Sequence, residues 1–337
     1  MKILMAMSGG VDSAAAATLL LRAGYTVTGC TMRLSGTERE EREIARAAAS
    51  AEVLGIPHRV LDLREDFARE VIAPFAAAYR AGKTPNPCIF CNAAIKFGAF
   101  FDYATAKGFE RIATGHYARI EGGRLKKADD AAKDQSYVLY RLTQRVLDRT
   151  LFPLGKITKA EARAIAEGAG LAAARAEESQ DICFVPDGDY AAFLEHKNGA
   201  PAPRGHYIDR EGRVLGEHCG ITHYTLGQHK GLGIALGRVR YVTHIDPLAN
   251  TVTLGDEADL FKKEVRLSDL CLIGRAQNAP FRATAKLRYR HRDVPLTVYP
   301  EGMGARLVFD EAQRAPTPGQ SAVLYDGDTV LGGGYIM

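Results

Sequence analysis

Met7-Ser8-Gly9-Gly10-Val11-Asp12-Ser13 joins a glycine pair to two hydroxyls and one carboxylate. Adjacent glycines let the backbone turn so tightly that amide N–H groups converge on one spot, a setting for a phosphate-sized anion. Ser8 and Ser13 add hydroxyl donors, and Asp12 has the carboxylate to hold a magnesium ion or to cap a helix. The Gly-Lys-Ser/Thr ending of the common P-loop is absent. A second chemistry is carried by sulfur. Cys88 and Cys91 stand as Cys-x-x-Cys in Thr84-Pro85-Asn86-Pro87-Cys88-Ile89-Phe90-Cys91-Asn92, where two prolines stiffen the chain. Such a pair serves as a redox couple or as half of a metal site. Cys183 lies far away in sequence, in Ser179-Gln180-Asp181-Ile182-Cys183-Phe184, and no second Cys-x-x-Cys completes a structural zinc set. Cys30, Cys219 and Cys271 read as buried small apolar residues.

These residues need a frame. Residues 3–6 read as a strand that runs into the glycine pair, and residues 14–21 as a helix ended by Gly24. Strands over 25–32, 57–61 and 111–114 alternate with helices over 38–54 and 67–79. That alternation predicts a parallel, Rossmann-like sheet covered by helices on both faces, with ligands at the strand C-terminal ends. The glycine loop, Met32 and Gly115 all fall there. Residues 137–139 read as strand-like. After about Tyr190 the helical signals fade. Residues 240–245 and 251–254 form a hairpin pattern, and 283–289, 305–309 and 322–325 read as short strands of a small β-barrel. The expected order is an α/β domain over 1–188, a β-rich central domain over 189–262 and a C-terminal β-barrel over 263–337.

With 337 residues the chain is too long for one ordinary core. At 46% hydrophobic and 25% charged residues it has the composition of a globular protein. Its N-terminus reads as neither a signal peptide nor a membrane span, which predicts a cytoplasmic protein whose six cysteines are reduced, catalytic or metal-bound. A net charge of +4 permits an RNA partner without demanding one.

Ser-Gly-Gly-x-Asp-Ser resembles the PP-loop of the ATP pyrophosphatases, which grip the pyrophosphate of ATP and transfer AMP to a substrate oxygen. Further segments follow in the order seen in tRNA-specific 2-thiouridylases: Thr84 through Asn92-Ala93-Ala94-Ile95-Lys96-Phe97, Ala113-Thr114-Gly115-His116-Tyr117, Lys133-Asp134-Gln135-Ser136-Tyr137, and the Cys183 segment. Thr225-Leu226-Gly227-Gln228-His229-Lys230-Gly231 resembles that family's central domain, and Leu287-Arg288-Tyr289-Arg290 and Thr317-Pro318-Gly319-Gln320 its barrel. The resemblance implies replacement of the C2 oxygen of the wobble uridine by sulfur in tRNAs for lysine, glutamate and glutamine. ATP with magnesium is implied at Ala6, Met7, Ser8, Gly9, Gly10, Val11, Asp12, Ser13, Met32 and Gly115. It implies a persulfide on Cys183, a partner role for Cys91, and target-base contacts at Asn86, Pro87 and Cys88. Contacts to tRNA are implied at His116, Lys133, Asp134, Gln135, Arg288, Tyr289 and Gln320. A cysteine desulfurase or sulfur-carrier protein would supply the sulfur.

Two departures stand out. Many members have Asp where this chain has Cys88, so Cys88, Cys91 and Cys183 together also suit a 4Fe–4S cluster with one open iron. The stretch over 33–39 is shorter than usual. In Arg288-Tyr289-Arg290-His291-Arg292 the alternation predicts a strand with its guanidiniums on one face, suited to phosphates. Three other readings are a nitrogen-adding PP-loop ligase, a thiolase for another tRNA base, and an RNA-binding module with a structural metal. The three cysteines disfavour the first. The barrel and the glycine-rich central segment disfavour the second, and the intact loop disfavours the third.

Overall fold

The computed structural model describes residues 1–175, 182–185, 188–274 and 279–337. The chain divides into two compact units, one of Met1–Ile72, Cys88–Gln180 and Asp326–Leu331, the other of Ala73–Pro87, Asp181–Tyr325 and Gly332–Met337.

The first unit is built on strands β1 (Lys2–Ala6), β2 (Thr26–Arg33), β3 (His58–Asp62) and β4 (Arg111–Ala113). The antiparallel hairpin β5 (Ala118–Glu121) and β6 (Arg124–Lys127) follows, then β7 (Thr150–Leu151). β1, β2, β3, β4 and β7 form one parallel sheet in the order β3-β2-β1-β4-β7. The apolar run Ile3, Leu4 and Met5 is wholly buried, as a strand covered on both faces must be. Helix α1 (Val11–Arg22) buries Ala14, Ala15, Ala16 and Ala17, whose small side chains allow close packing within the core. Helix α2 (Glu38–Val53) starts at Thr37, whose hydroxyl accepts from the Glu40 amide. In the short stretch before it, the Glu40 carboxylate accepts from the Leu34, Ser35 and Gly36 amides. The helix expected over 67–79 begins at Arg64, passes through a π-helical stretch at Ala68–Ile72 and continues as Ala73–Arg80.

Residues 73–87 belong to the second unit although first-unit sequence flanks them on both sides. The reason is aromatic packing. Phe75 and Tyr79 join a cluster with Leu194, and Phe184, Tyr190 and Phe193 pack against it. The Phe75 and Phe184 rings meet edge-on at 5.3 Å, and Tyr79 stacks on Tyr190 at 4.8 Å.

The central β-rich segment holds β8 (Gly205–Ile208), β9 (Val214–His218), β10 (Tyr241–Asp246) and β11 (Thr251–Gly255) in the order β10-β11-β8-β9. The hairpin expected over 240–254 is present, with Asn250 left-handed at φ 51° in its turn. The barrel follows with β12 (Phe261–Leu272), β13 (Phe281–Lys286), β14 (Val294–Glu301), β15 (Gly304–Arg314), β16 (Ser321–Asp326) and β17 (Thr329–Ile336). The antiparallel order β12-β15-β14-β13-β16-β17 closes through β12 and β17.

Four local expectations fail. Residues 137–139 lie in a 3-10 turn, Ser136–Leu139, buried on every side, and a short apolar run does not distinguish the two. β13 stops at Lys286, and its ladder with β14 ends at Ala285↔Val294. Arg288, Arg290 and Arg292 therefore share no strand face; the His291 amide bonds the Arg288 carbonyl at 2.9 Å and closes a turn there. Cys30 is buried as expected, but Cys219 is exposed at the end of β9 and Cys271 is half-buried. Among the described residues no helix is long and apolar enough to cross a membrane.

Candidate active site

The glycine loop leaves β1 beside the C-terminal ends of β2 and β4, where a parallel sheet presents its ligands. Gly9 is left-handed at φ 73°, and a Cβ there would stand 2.2 Å from the Glu43 carbonyl oxygen of α2. Only glycine fits both the conformation and the approach. The Ser8 amide donates to Ser13 Oγ at 3.1 Å, and Ser13 Oγ donates to the Gly10 carbonyl at 3.0 Å, which ties the loop into a ring. No side chain caps α1, so its first-turn amides stay directed outward. Ala6, Met7 and Val11 are buried, which leaves their backbones as the parts that can meet a ligand. Met7 lies against Gly29 of β2, and Met32 is half-buried near the end of the same strand. A Cβ on Gly115 would come 3.0 Å from the Ser13 amide nitrogen, so this residue lines the loop directly.

Asp12 neither caps α1 nor presents a free carboxylate. Lys159 Nζ donates to its Oδ1 at 2.7 Å and its Oδ2 at 2.8 Å, and the Tyr117 hydroxyl donates to Oδ1 at 2.7 Å. Oδ1 accepts from both the ammonium and the phenol, and Oδ2 from the ammonium alone. Sequence reasoning missed Lys159 because it lies 147 residues away. One local signal existed: Thr158-Lys159-Ala160-Glu161 is a capping box that fixes Lys159 at the start of the helix Lys159–Gly168.

The thiols sit on a continuous helix. Pro87 opens it, where a missing N–H costs nothing. Pro87–Phe90 is α-helical and Cys91–Ala99 is π-helical. Winding of the i→i+5 kind brings Lys96 back over Cys91, whereas five residues along an α-helix fall about 140° around the axis. Cys88 is exposed and Cys91 is buried. Burial pushes the Cys91 thiol up to about 11, opposed by the Lys96 ammonium and reinforced by Cys88. The surrounding protein also raises Cys88, again with Lys96 opposing. In this state both are held as thiols. Cys183 is exposed, while its neighbour Phe184 is held in the aromatic cluster. Ser179, Gln180 and Asp181 lie outside the described residues. Among the described residues no group of three His, Cys, Asp or Glu side chains is placed to hold a metal ion.

Comparison with known proteins places this geometry. A tRNA methyl transferase HUP domain model matches residues 1–187, a tRNA methyl transferase PRC-barrel domain model 191–256, and an aminomethyltransferase β-barrel domain model 262–336. The tRNA-specific 2-thiouridylase MnmA of Acetivibrio thermocellus is 44% identical over 354 residues, covering 99% of each chain. Those of Clostridioides difficile and Moorella thermoacetica are 45% and 47% identical over 352 residues, covering 99% of this chain and 98% of theirs. The chain belongs to the tRNA-specific 2-thiouridylase family.

The family's remaining motifs take distinct places. Asp134 is buried, and its carboxylate accepts from the Ala128 and Ser136 amides and the Ser136 hydroxyl, so it shapes the turn. Gln135 Oε1 accepts from the Tyr117 amide at 2.9 Å, while Lys133 is half-buried. Arg288 and Tyr289 are exposed in the β13–β14 connection. Asn86 is half-buried, and the Gln320 side chain donates to the Thr84 carbonyl at 2.7 Å.

His116 is buried between Phe97 and Phe152, and its Nδ1 lies 2.7 Å from Thr114 Oγ1. Burial, then Lys96, holds its pKa well below the usual 6.5. The folded state thus stays neutral while the unfolded state takes up a proton as pH falls through about 6.5, so stability falls with acid below that value. Thermal unfolding against pH is expected to show a His116→Gln variant losing less stability between pH 6.5 and 5, by up to about 1.4 kcal/mol per pH unit. Parallel profiles for the two proteins would contradict the assignment.

Proposed function

We propose that this protein uses ATP to replace the C2 oxygen of the wobble uridine in tRNAs for lysine, glutamate and glutamine with sulfur. The observation that carries this reading is a phosphate-shaped loop and a Cys88–Cys91 helix within one compact unit of a chain that matches 2-thiouridylases end to end. The family models' descriptions name methyl transfer and the relatives' names 2-thiolation. A methyl group leaves an activated donor without any need to split ATP at its pyrophosphate, so the loop favours thiolation.

A uracil C2 oxygen is a poor leaving group. Its attack on the α-phosphorus of ATP makes an O-adenylated base and frees pyrophosphate, which the uncapped first-turn amides of α1 would hold. The terminal sulfur of a Cys183 persulfide then adds to C2, and AMP departs with the bonding pair. The Cys91 thiolate attacks Cys183 Sγ. The sulfur–sulfur bond breaks, its electron pair stays on the sulfur at C2, and a Cys91–Cys183 disulfide remains for an external thiol to reduce. Since Cys91 rests as a thiol with its pKa raised to about 11, its proton must leave before this step. The uridine must be turned out of its stack to reach the site. Asn86, Pro87 and Cys88 would meet the base. Lys133, His116, Arg288 and Tyr289 are the proposed RNA contacts.

The spans matched by the family models support a catalytic domain over 1–188, a central domain over 189–262 and a barrel over 263–337. The persulfide calls for a cysteine desulfurase or a sulfur carrier, and a cytoplasmic site fits a tRNA substrate. Pyrophosphate release measured with ATP, magnesium and unmodified lysine tRNA tests the first step. A burst that requires the tRNA is expected; ATP cleavage indifferent to tRNA would overturn the reading.

A further inference from the structure

Thr84, four residues before Cys88, has all its polar groups taken by residues far along the chain. Its amide donates to the Pro318 carbonyl at 2.8 Å. Its carbonyl accepts from Gln320 Nε2 at 2.7 Å, across 236 residues. Its hydroxyl donates to Thr225 Oγ1 at 3.2 Å, across 141 residues. Gly319 lies so close that a Cβ would stand 2.9 Å from Lys83 Cβ and 3.0 Å from the Thr84 nitrogen.

Both holders are themselves fixed. The Gln320 carbonyl accepts from the Ile336 amide, and the Gly319 amide donates to the Ile336 carbonyl, which binds this turn to β17. The Thr225 amide donates to Gln228 Oε1, the Gln228 amide donates to the Thr225 carbonyl, and the Gly227 amide donates to the Val242 carbonyl of β10. Beyond Thr84 the chain is stiff. Pro85 and Pro87 lock their own φ and keep Thr84 and Asn86 extended, both prolines are buried, and Pro87 is the first residue of the helix that carries both thiols.

We propose that Gln320 and Thr225 are positioning residues for the sulfur chemistry: they hold Thr84, and the rigid Thr84-Pro85-Asn86-Pro87 segment carries that placement to Cys88 and Cys91. Thr225-Leu226-Gly227-Gln228 and Thr317-Pro318-Gly319-Gln320 gain a role that requires no contact with substrate. The inference rests on the proposed function only in taking Cys91 as a participant in sulfur transfer.

Iodoacetamide labelling of the full-length protein without tRNA, resolved cysteine by cysteine by mass spectrometry, tests it. Gln320→Leu and Thr225→Val are expected to raise the labelling rate of buried Cys91 on the order of tenfold, as the loss of one hydrogen bond favours local opening. Their combination should raise it further. Thr225→Ser, which keeps the hydroxyl, should label as the wild type does. Cys30, wholly buried in the first unit, reports on global folding and should stay unlabelled throughout. At saturating tRNA, Thr225→Val should transfer sulfur more slowly while pyrophosphate release is unchanged. Wild-type Cys91 labelling in the double variant, with Cys30 protected, would overturn the inference. Faster Cys91 labelling in a protein that thiolates no tRNA would overturn the proposed function and leave this inference standing.

Discussion

A Cys183→Ser variant is expected to release pyrophosphate from ATP in the presence of tRNA and yet leave the uridine unthiolated, with sulfur transfer reduced at least about 10³-fold. Serine cannot carry a persulfide, so the step from the adenylated base has no sulfur to use. The change removes chemistry without removing packing. Cys183 is exposed, and the segment is held by Phe184, whose ring contacts Phe75 at 5.3 Å and Phe193 at 5.4 Å. Stability should therefore move by no more than about 0.5 kcal/mol. Cys91→Ser should block the same reaction one step later and leave sulfur attached to Cys183, detectable as added mass on that cysteine. Cys88→Ser should have a smaller effect, since no bond is made or broken at Cys88. Wild-type thiolation by Cys183→Ser, with cysteine persulfide as the only sulfur source, would remove Cys183 from the mechanism.

Gly9→Ala is expected to abolish measurable ATP binding and to destabilise the first unit by about 2–4 kcal/mol. Two effects combine. Alanine at φ 73° pays the left-handed penalty, and its methyl would stand 2.2 Å from the Glu43 carbonyl oxygen. The obstacle is backbone within α2, so no side-chain rotation relieves it. Either α2 shifts or the loop abandons the turn that aligns its amides. Gly24→Ala is the matched control. It has φ 79° with nothing within 4 Å, so it should cost about 1 kcal/mol and bind ATP normally. Calorimetric titration of ATP into both variants, beside their unfolding curves, separates the loop's geometry from plain backbone strain. Equal ATP affinity in the two would contradict the close-approach argument.

These residues differ in how far they could be read without coordinates. The glycine loop was legible because strand, glycine pair and helix are contiguous, and local backbone needs dictate their residue types. The parallel sheet was legible from the alternation of elements. The Asp12–Lys159 pair was not, because a helix start and a loop 147 residues apart meet only through the fold. The allegiance of residues 73–87 was hidden for the same reason: Phe75 and Tyr79 look like ordinary helix core until Phe184 and Tyr190 pack on them. Arg288 to Arg292 misled because alternation in sequence implies a strand only where a partner ladder exists, and that ladder ends at Ala285. The motif around Gln320 implies an RNA contact, while its hydrogen bond to Thr84 is invisible at 236 residues' separation.

Nucleoside mass spectrometry of unmodified lysine tRNA decides whether this protein exchanges oxygen for sulfur on the wobble uridine. The tRNA would be incubated with the protein, magnesium and a persulfide donor, with and without ATP, and digested. The wobble uridine is expected to be replaced, only with ATP, by a nucleoside heavier by the exchange of one oxygen for sulfur. A methylated nucleoside, or unchanged uridine with lysine, glutamate and glutamine tRNAs alike, would contradict it.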